Sequence, residues 1–264
     1  MTTGPRCAPA TSDRRSRNCA VASARQNWTI PSSRSTTSVG DSLKRAAAAA
    51  AVELVCDGML LGLGTGSTAD HALELLGDRV AEGLAITGVP TSKRTAARAR
   101  ELGIPLQQFE PGLRLDLAID GADEVSPQLD LIKGLGGALL REKQVESCAE
   151  RLVIIIDDSK LVERLGRGPL PVEVATAEAD ATLAALRALG CEAELRHVAS
   201  APFVTDNGNW IVHLSFAHGI SEPAALDAQL KATPGVIDTG FFLGMADIVY
   251  SASAGGVQRL ERTP

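Results

Sequence analysis

Carboxylates and a lysine stand close together between residues 116 and 143. Asp120 and Asp123 lie in DGADEV, directly after the apolar run LDLAI, and only Gly-Ala separates them. Small residues at that position allow a tight turn and leave room for a ligand beside both carboxylates. Lys133 precedes a glycine-rich turn, and Glu142 lies on the helix expected after that turn. Such groups can move a proton and stabilise a developing oxyanion, so this segment is a candidate catalytic site.

Each of these residues also has a simpler explanation. A charged loop on a solvated sheet rim would account for the acids, and Glu142 alone would be an exposed partner of Arg141 or Lys143. The acids could also bind a hard cation through oxygen ligands, but neither a third acid at loop spacing nor a nearby histidine completes a cage. The close spacing of Asp120 and Asp123, and the constellation as a whole, favour catalysis without a metal.

The turn GLGTGSTA, residues 62–69, follows an expected strand and opens an expected helix. Backbone N–H groups at such a position can bind a phosphate. The pattern also fits a dinucleotide loop, but the next strand, LAITGVP, ends without the acid that would bind a ribose. The hydroxyls of Thr65, Ser67 and Thr68 instead suit a terminal phosphate. A tight turn with a serine N-cap is the structural alternative.

A second strand-to-helix turn, VPTSKRTA, spans residues 89–96 and again carries hydroxyls and a lysine. Ligands of open α/β sheets bind at the carboxyl edge where both turns are expected. An N-cap at Thr91 or Ser92, with Lys93 solvated, explains this second turn equally well.

Whole-chain composition excludes several classes of protein. The 264 residues are 45% hydrophobic and 22% charged, as in globular proteins, and the length fits one large or two unequal domains. The formal net charge of −6 argues against a nucleic-acid binder. No apolar run is long enough to span a bilayer, so no membrane association is expected. The absence of a G-x-S-x-G motif makes Ser-His-Asp hydrolysis a poor explanation.

Five widely spaced cysteines, without CxxC pairs, predict free thiols in a reducing compartment, and we expect the cytoplasm. Residues 1–40 differ from the remainder, with six arginines, a single acid and no apolar periodicity, and predict a disordered extension. The same composition is typical of an organellar transit peptide, which leaves import as an alternative to a non-functional extension.

From residue 41 onward, helices alternate with short apolar strands. Asp41 to about Cys56 is expected as a helix that ends at Gly58, and the following pattern predicts βαβ units in a parallel, doubly wound sheet. Its later strands are RLVIII and ADIVYSAS, the second of which would rejoin this sheet.

After GPLPVEV the order becomes β/α/β/β/α/β, which suggests a small antiparallel sheet of ferredoxin-like outline. FVTDNG and NWIVHLSF are expected as a hairpin that turns at Asn207-Gly208. The predicted domains are residues 41–169 plus 240–264 and residues 170–239.

The segments carrying these features closely resemble the type A ribose-5-phosphate isomerase family. The matching pieces extend from about Asp41 to Ser253 and are GLGTGSTA, TSKRT, DGADEV, IKGLGGALLREK, DDSK, LPVEV, TDNGN and PGVIDTGFF. The resemblance implies an α/β fold, Rossmann-like with a smaller ferredoxin-like domain. It also implies interconversion of D-ribose 5-phosphate and D-ribulose 5-phosphate in the pentose phosphate pathway, no cofactor, and a homodimer or homotetramer.

Site residues follow from the same resemblance. It implies that Glu142 moves a proton between C1 and C2, while Asp120, Asp123 and Lys133 act on the sugar hydroxyls, ring opening and the enediolate. The residues expected to bind the substrate or shape its phosphate site are Lys44, Thr65, Gly66, Ser67, Thr68, Lys133, Gly134, Gly136 and Lys160.

The chain departs from the family pattern at two positions of the glycine-rich turn. Leu135 stands where a third glycine is common, and Leu140 where a threonine is frequent. Their larger side chains are expected to narrow the turn that would contact the oxyanion.

Two other functions fit a fold of this kind. A sugar-phosphate sensor would normally carry a DNA-binding helix pair, and residues 1–40 lack the periodicity to form one. An acyl-CoA transferase would use a glutamate as its nucleophile, and the hydroxyl-rich turn and DGADE argue against it.

Overall fold

A computed structural model describes residues 37–262 of the protein. Its helices are α1 (Thr37–Val52), α2 (Ser67–Ala81), α3 (Lys93–Glu101), α4 (Leu139–Glu146), α5 (Ala179–Arg187) and α6 (Pro223–Ala232). Its strands are β1 (Leu60–Leu63), β2 (Thr87–Pro90), β3 (Leu117–Asp120), β4 (Glu124–Val125), β5 (Leu131–Ile132), β6 (Leu152–Asp157), β7 (Leu170–Val174), β8 (Glu192–Leu195), β9 (His197–Val198), β10 (Ala201–Pro202), β11 (Trp210–Ser215), β12 (Val236–Thr239), β13 (Phe241–Phe242), β14 (Ile248–Ser253) and β15 (Gly256–Glu261).

The first helix differs from its prediction at both ends. It begins at Thr37 rather than Asp41, and Asp41 lies inside the helix, where its carboxylate contacts His71 on α2 at 3.1 Å. It ends at Val52, and the chain continues in tight turns before Gly58. The disordered extension predicted for residues 1–40 is wrong at its end, because residues 37–40 form the first turn of α1. For residues 1–36, that prediction and the alternative of a transit peptide lie outside the described residues.

The large sheet has six strands in the order β15-β14-β6-β3-β1-β2. All neighbours are parallel except β14 and β15, which confirms the doubly wound prediction and the return of ADIVYSAS to this sheet. Apolar residues fill both faces of its central strand β6, where Val153 and Ile155 face one core and Ile154 and Ile156 the other. A strand covered by helices on both sides needs such a continuous apolar run. The polar edge strand β15 carries no such signal and was not predicted.

A second sheet of four strands has the order β12-β7-β11-β8, and all its pairs are antiparallel. Leu186 of α5 and Leu230 of α6 pack into the same core cluster as this sheet. This arrangement confirms the ferredoxin-like prediction for the smaller unit.

The predicted hairpin is confirmed at its turn and wrong in its first arm. Thr205 N–H donates to Asn209 O at 2.8 Å, and Gly208 has the positive φ of 83° that the turn requires. The preceding segment pairs with β11 only through an isolated bridge between Val204 and Trp210, and Phe203 packs against the core beside the large sheet. Strand β11 pairs with β7 and β8 instead.

A third sheet, β13-β5-β4, was not predicted. Each of its strands has two residues, too few to show a period. The sheet fixes the backbone beside the candidate acids: Asp123 N–H donates to Ile132 O, and Lys133 N–H donates to Gly240 O, both at 2.9 Å. None of the helices within residues 37–262 is long and apolar enough to cross a membrane.

Candidate active site

Asp120, the last residue of β3, lies at the carboxyl edge of the large sheet. Its Oδ1 accepts hydrogen bonds from the backbone N–H groups of Thr65 at 2.9 Å and Gly121 at 2.6 Å. A Cβ atom on residue 64 would lie 2.2 Å from Asp120 Cγ, which no side chain could tolerate. Because it has no side chain, Gly64 allows the glycine-rich turn after β1 to lie directly against Asp120 at the end of β3.

Lys133 places its ammonium group in the middle of three carboxyl groups. Its Nζ lies 2.6 Å from Asp120 Oδ2, 2.8 Å from Glu146 Oε1 and 3.3 Å from Glu142 Oε2. Only 2% of the lysine is exposed. Burial alone would lower the pKa of Lys133, but Asp120, Glu142 and Glu146 outweigh it and hold that pKa well above its usual range. The Lys133 side chain therefore carries a positive charge.

Glu142 lies on α4 with 3% of its surface exposed. Burial raises its pKa from 4.5 to about 8, with Lys133 opposing the increase and Asp120 adding to it. A carboxyl group with such a pKa can both accept and return a proton near neutral pH. The simpler explanation, an exposed partner of Lys143, does not hold, because Lys143 Nζ contacts Asp238 at 2.7 Å.

The three carboxyl groups also have the spacing of a cation site, since one oxygen of each lies within 4.8 Å of the others. The sequence offered no third acid at loop spacing; Glu146 comes instead from α4, one turn after Glu142. Lys133 Nζ already bonds Asp120 and Glu146 at hydrogen-bonding distance. The lysine thus supplies from the chain itself the positive charge that a metal would otherwise provide.

Asp123 contacts the glycine-rich turn, where its Oδ2 accepts a hydrogen bond from Leu135 N–H at 3.0 Å. Burial raises the pKa of Asp123. Gly134 and Gly137 have positive φ angles of 102° and 88°, which favour glycine, whereas Leu135 is outside that region. The leucine that replaces a common family glycine is therefore compatible with the turn. Leu140 packs into the core below it.

A cleft of about 250 Å³ runs beside this cluster. Its walls bring together nearly all the predicted site residues: Lys44, Thr65, Gly66, Ser67, Thr68, Asp123, Lys133, Gly134, Gly136, Glu142 and Lys160. Asp120 is the exception, because it lies buried beneath Lys133.

One end of the cleft carries groups that suit an anion. Helix α2 begins there at Ser67, so its N-terminal N–H groups and partial positive charge face the cleft. Lys44 Nζ, from α1, donates to Ser67 Oγ at 3.0 Å, and Lys160 also lines the cleft. The cleft thus offers groups that suit a phosphate as well as the acid-lysine cluster.

The hydroxyl of Thr65 is engaged away from this anion site. Its Oγ1 lies 2.7 Å from Thr91 Oγ1, 2.8 Å from Ser92 Oγ and 3.0 Å from Thr95 Oγ1. Ser92 is the N-cap of α3, as its side chain accepts a bond from Thr95 N–H. The turn VPTSKRTA therefore forms a helix N-cap, as its structural alternative predicted. Its hydroxyl groups hydrogen-bond to Thr65 in the turn after β1.

Several residues around the cleft escaped the sequence analysis. Glu146 could have been found from its i+4 spacing to Glu142, which places both on one helix face. Arg196 had no local signal, because it reaches the turn from the small sheet and donates to Leu135 O at 2.8 Å. Its guanidinium also lies 3.9 Å from the centroid of the Phe203 ring.

Comparisons with known proteins agree on one family. A family model described as ribose 5-phosphate isomerase A (phosphoriboisomerase A) matches residues 87–256. The chain is 52% identical over 222 residues to ribose-5-phosphate isomerase A of Gloeobacter violaceus, covering 83% of this chain and 96% of the relative. It is likewise 52% identical over 223 residues to the Thermomicrobium roseum protein of that name, covering 83% and 94%.

Solved structures show the same relationship. A D-ribose-5-phosphate isomerase in complex with phospho-erythronic acid aligns with a TM-score of 0.81 and 39% identity, covering 84% of this chain and 99% of the other. The Plasmodium falciparum ribose 5-phosphate isomerase aligns with a TM-score of 0.82 and 38% identity, covering 85% and 100%.

Proposed function

The chain belongs to the ribose 5-phosphate isomerase A family, and on this premise we propose that it interconverts D-ribose 5-phosphate and D-ribulose 5-phosphate through an enediolate. The observation that carries the proposal is the burial of Glu142 and Lys133 in one cluster beside an anion-binding turn. Moving a carbonyl from C1 to C2 needs a base for an acidified C–H, a group that stabilises the enediolate, and a grip on the phosphate. The cleft offers all three.

We assign the phosphate of the substrate to the N-terminus of α2. Gly66, Ser67 and Thr68 would bind it through backbone N–H groups and hydroxyls, and Lys44 and Lys160 would supply positive charge. Thr65 would contribute its backbone rather than its hydroxyl, which is engaged by the turn behind it. This arrangement directs the carbonyl end of the sugar toward Lys133 and Glu142.

We assign the proton transfer to Glu142. Its carboxylate would take the proton from C2 of the open-chain aldose, and the electron pair would move onto the C1 carbonyl oxygen to give the enediolate. The hydroxyl proton would then pass from O2 to O1, and the resulting carboxylic acid would return the abstracted proton to C1 as the C2 carbonyl forms, which leaves the ketose. Lys133 and the N–H groups at Gly134 and Gly136 would stabilise the oxyanion. Asp123 would act on the sugar hydroxyls and ring opening, and Asp120 would support Lys133.

The competing functions explain the cluster less well. A sensor that only binds a sugar phosphate has no need of a buried carboxyl group whose pKa lies near 8. An acyl transferase would need Glu142 as a persistent carboxylate nucleophile, whereas a carboxyl group with a pKa of about 8 suits a step in which it takes up a proton and then returns it.

The test is incubation of the purified full chain with ribose 5-phosphate, with ketose formation read directly. We expect ketose to form at the same rate with and without a chelator such as EDTA. Failure to form ketose would contradict the isomerase proposal, and loss of activity in EDTA would contradict the assignment of the positive charge to Lys133.

We further propose that the chain is a homodimer or homotetramer, as the family resemblance implies, and that it acts in the cytoplasm, as its cysteine spacing predicts. The division into residues 41–169 plus 240–264 and residues 170–239 is part of the same proposal. Light scattering on the purified protein would test the assembly, since a monomeric mass would contradict it.

A further inference from the structure

Glu146 is the member of the buried cluster that has no role in the reaction as assigned above. It lies one helical turn after Glu142 on α4, with 3% of its surface exposed. Its Oε1 accepts a hydrogen bond from Lys133 Nζ at 2.8 Å, whereas Glu142 Oε2 lies 3.3 Å from the same nitrogen. Of the two glutamates on this helix, Glu146 therefore holds the lysine more closely.

The position of Glu146 separates it from the substrate. Lys133 and Glu142 both line the cleft, but Glu146 is not among the described residues that do so. Its carboxyl group approaches the Lys133 ammonium from the buried side. Contact with a bound sugar is thus made by Lys133 and Glu142, and Glu146 can act only through them.

We propose that Glu146 is a positioning residue for the isomerisation, which anchors the Lys133 ammonium from behind and keeps it directed between Asp120 and Glu142. The inference rests on the proposed function, because it concerns the geometry of that proton transfer. Lys133 has three N–H donors, and Asp120 and Glu146 each accept one of them at hydrogen-bonding distance. With two donors fixed, the third is left for Glu142 or the substrate oxyanion.

Electrostatics favour a role that depends on an oxygen atom rather than on negative charge. The ionisable groups facing Glu146 are Lys133 from the turn before α4, Asp120 from the end of β3, and Glu142 from the same helix. Burial raises the pKa of Glu146 well above its usual range; Lys133 opposes this increase, and Asp120 and Glu142 add to it. A protonated Glu146 still accepts the lysine hydrogen bond through its carbonyl oxygen.

Two conservative variants distinguish a role of Glu146 as a hydrogen-bond acceptor for Lys133 from a role that needs its negative charge. Glu146→Gln keeps the length and the accepting oxygen but cannot be charged. Glu146→Asp keeps the carboxyl group but withdraws its oxygen by one methylene from Lys133. Gln144→Asn, an equal shortening at an exposed position of the same helix, is the matched control. Steady-state kinetics with ribose 5-phosphate across the pH range, and thermal unfolding, would be measured for the parent and all three variants.

We expect Glu146→Gln to keep kcat within about threefold of the parent, with an unchanged acidic limb of the pH profile. Glu146→Asp should lower kcat about tenfold or more with little change in KM, because small displacements of catalytic groups are costly. Gln144→Asn should match the parent.

The reverse order, an active Asp variant and an impaired Gln variant, would overturn the inference in favour of a charge role. Parental activity in both, or equal losses that follow the unfolding temperature, would overturn it as well. An inactive parent would instead refute the proposed isomerase, so the two failures are distinguishable.

Discussion

Asp120, Glu142 and Glu146 share one lysine, but their surroundings differ in ways that divide their roles. Asp120 accepts two backbone N–H bonds besides that of Lys133, which fix its carboxyl group in place. Burial raises the pKa of both glutamates. Of these two, Glu142 lines the cleft and is therefore the one placed to gain and lose the proton of the substrate.

The pKa of Glu142 predicts how the rate depends on pH. Because burial raises this pKa to about 8, the free enzyme holds Glu142 largely protonated at pH 7, and the reactive carboxylate forms as the pH rises. We expect kcat/KM to increase with pH up to about 8 and to level off above it, since kcat/KM reports groups of the free enzyme.

Between pH 7 and 9 the phosphate of the substrate no longer titrates, because its second pKa is about 6. An increase in kcat/KM between pH 7 and 9 is therefore caused by a group of the protein. A profile of kcat/KM that is flat from pH 6 to 9 would contradict the assignment of that pKa to the base.

At the scale of elements, the glycine-rich turn before α4 is held from two sides. Asp123, after β3, accepts a bond from Leu135 N–H, and Arg196, after β8, donates to Leu135 O. Phe203 packs against the same turn so closely that a Cβ atom added to Gly137 would lie 2.4 Å from its ring. The small sheet thus shapes the turn proposed to face the oxyanion.

Removal of the hydrogen bond between Arg196 and the Leu135 carbonyl is expected to lower activity. Arg196→Met should free the Leu135 carbonyl and remove the stacking on Phe203, so that the turn no longer holds one position. We expect kcat/KM for ribose 5-phosphate to fall about tenfold, in the range that loss of one charge-assisted hydrogen bond can produce.

Arg187→Met is the matched control, because Arg187, at the end of α5, also donates to a backbone carbonyl, that of Ala193 in β8, and this contact lies away from the glycine-rich turn. It should lose stability without losing kcat/KM per folded molecule. Equal losses of kcat/KM in both variants would show that Arg196 acts only through folding.

The elements that the sequence predicts well are those with a long local period. The apolar run of β6 and the alternation of helices and strands around it define the parallel sheet. The two-residue strands β4, β5 and β13 have no such period, yet they fix the backbone of Asp123 and Lys133. Glu146 had a usable spacing, whereas Arg196 comes from a distant part of the chain and could not be placed from local pattern.

At the scale of the whole molecule, the two sheets form one functional unit. Asp206, in the turn of the small sheet, accepts a bond from Lys93 N–H at the start of α3, with an O···N distance of 2.7 Å. Arg196 and Phe203 reach the glycine-rich turn from the same side. Sequence patterns predicted the parallel type of the large sheet and the antiparallel type of the small one, but not these contacts, because contacts between distant segments depend on packing rather than on local period.

Turnover of the Glu142→Gln variant shows whether Glu142 carries the proton. The variant should fold, bind phosphate at the α2 turn and lose kcat by about 10²- to 10⁴-fold, the usual cost of removing a general base. Glu150→Gln, at an exposed position just beyond α4, is the control and should match the parent. A folded Glu142→Gln protein with kcat within about threefold of the parent would contradict the account.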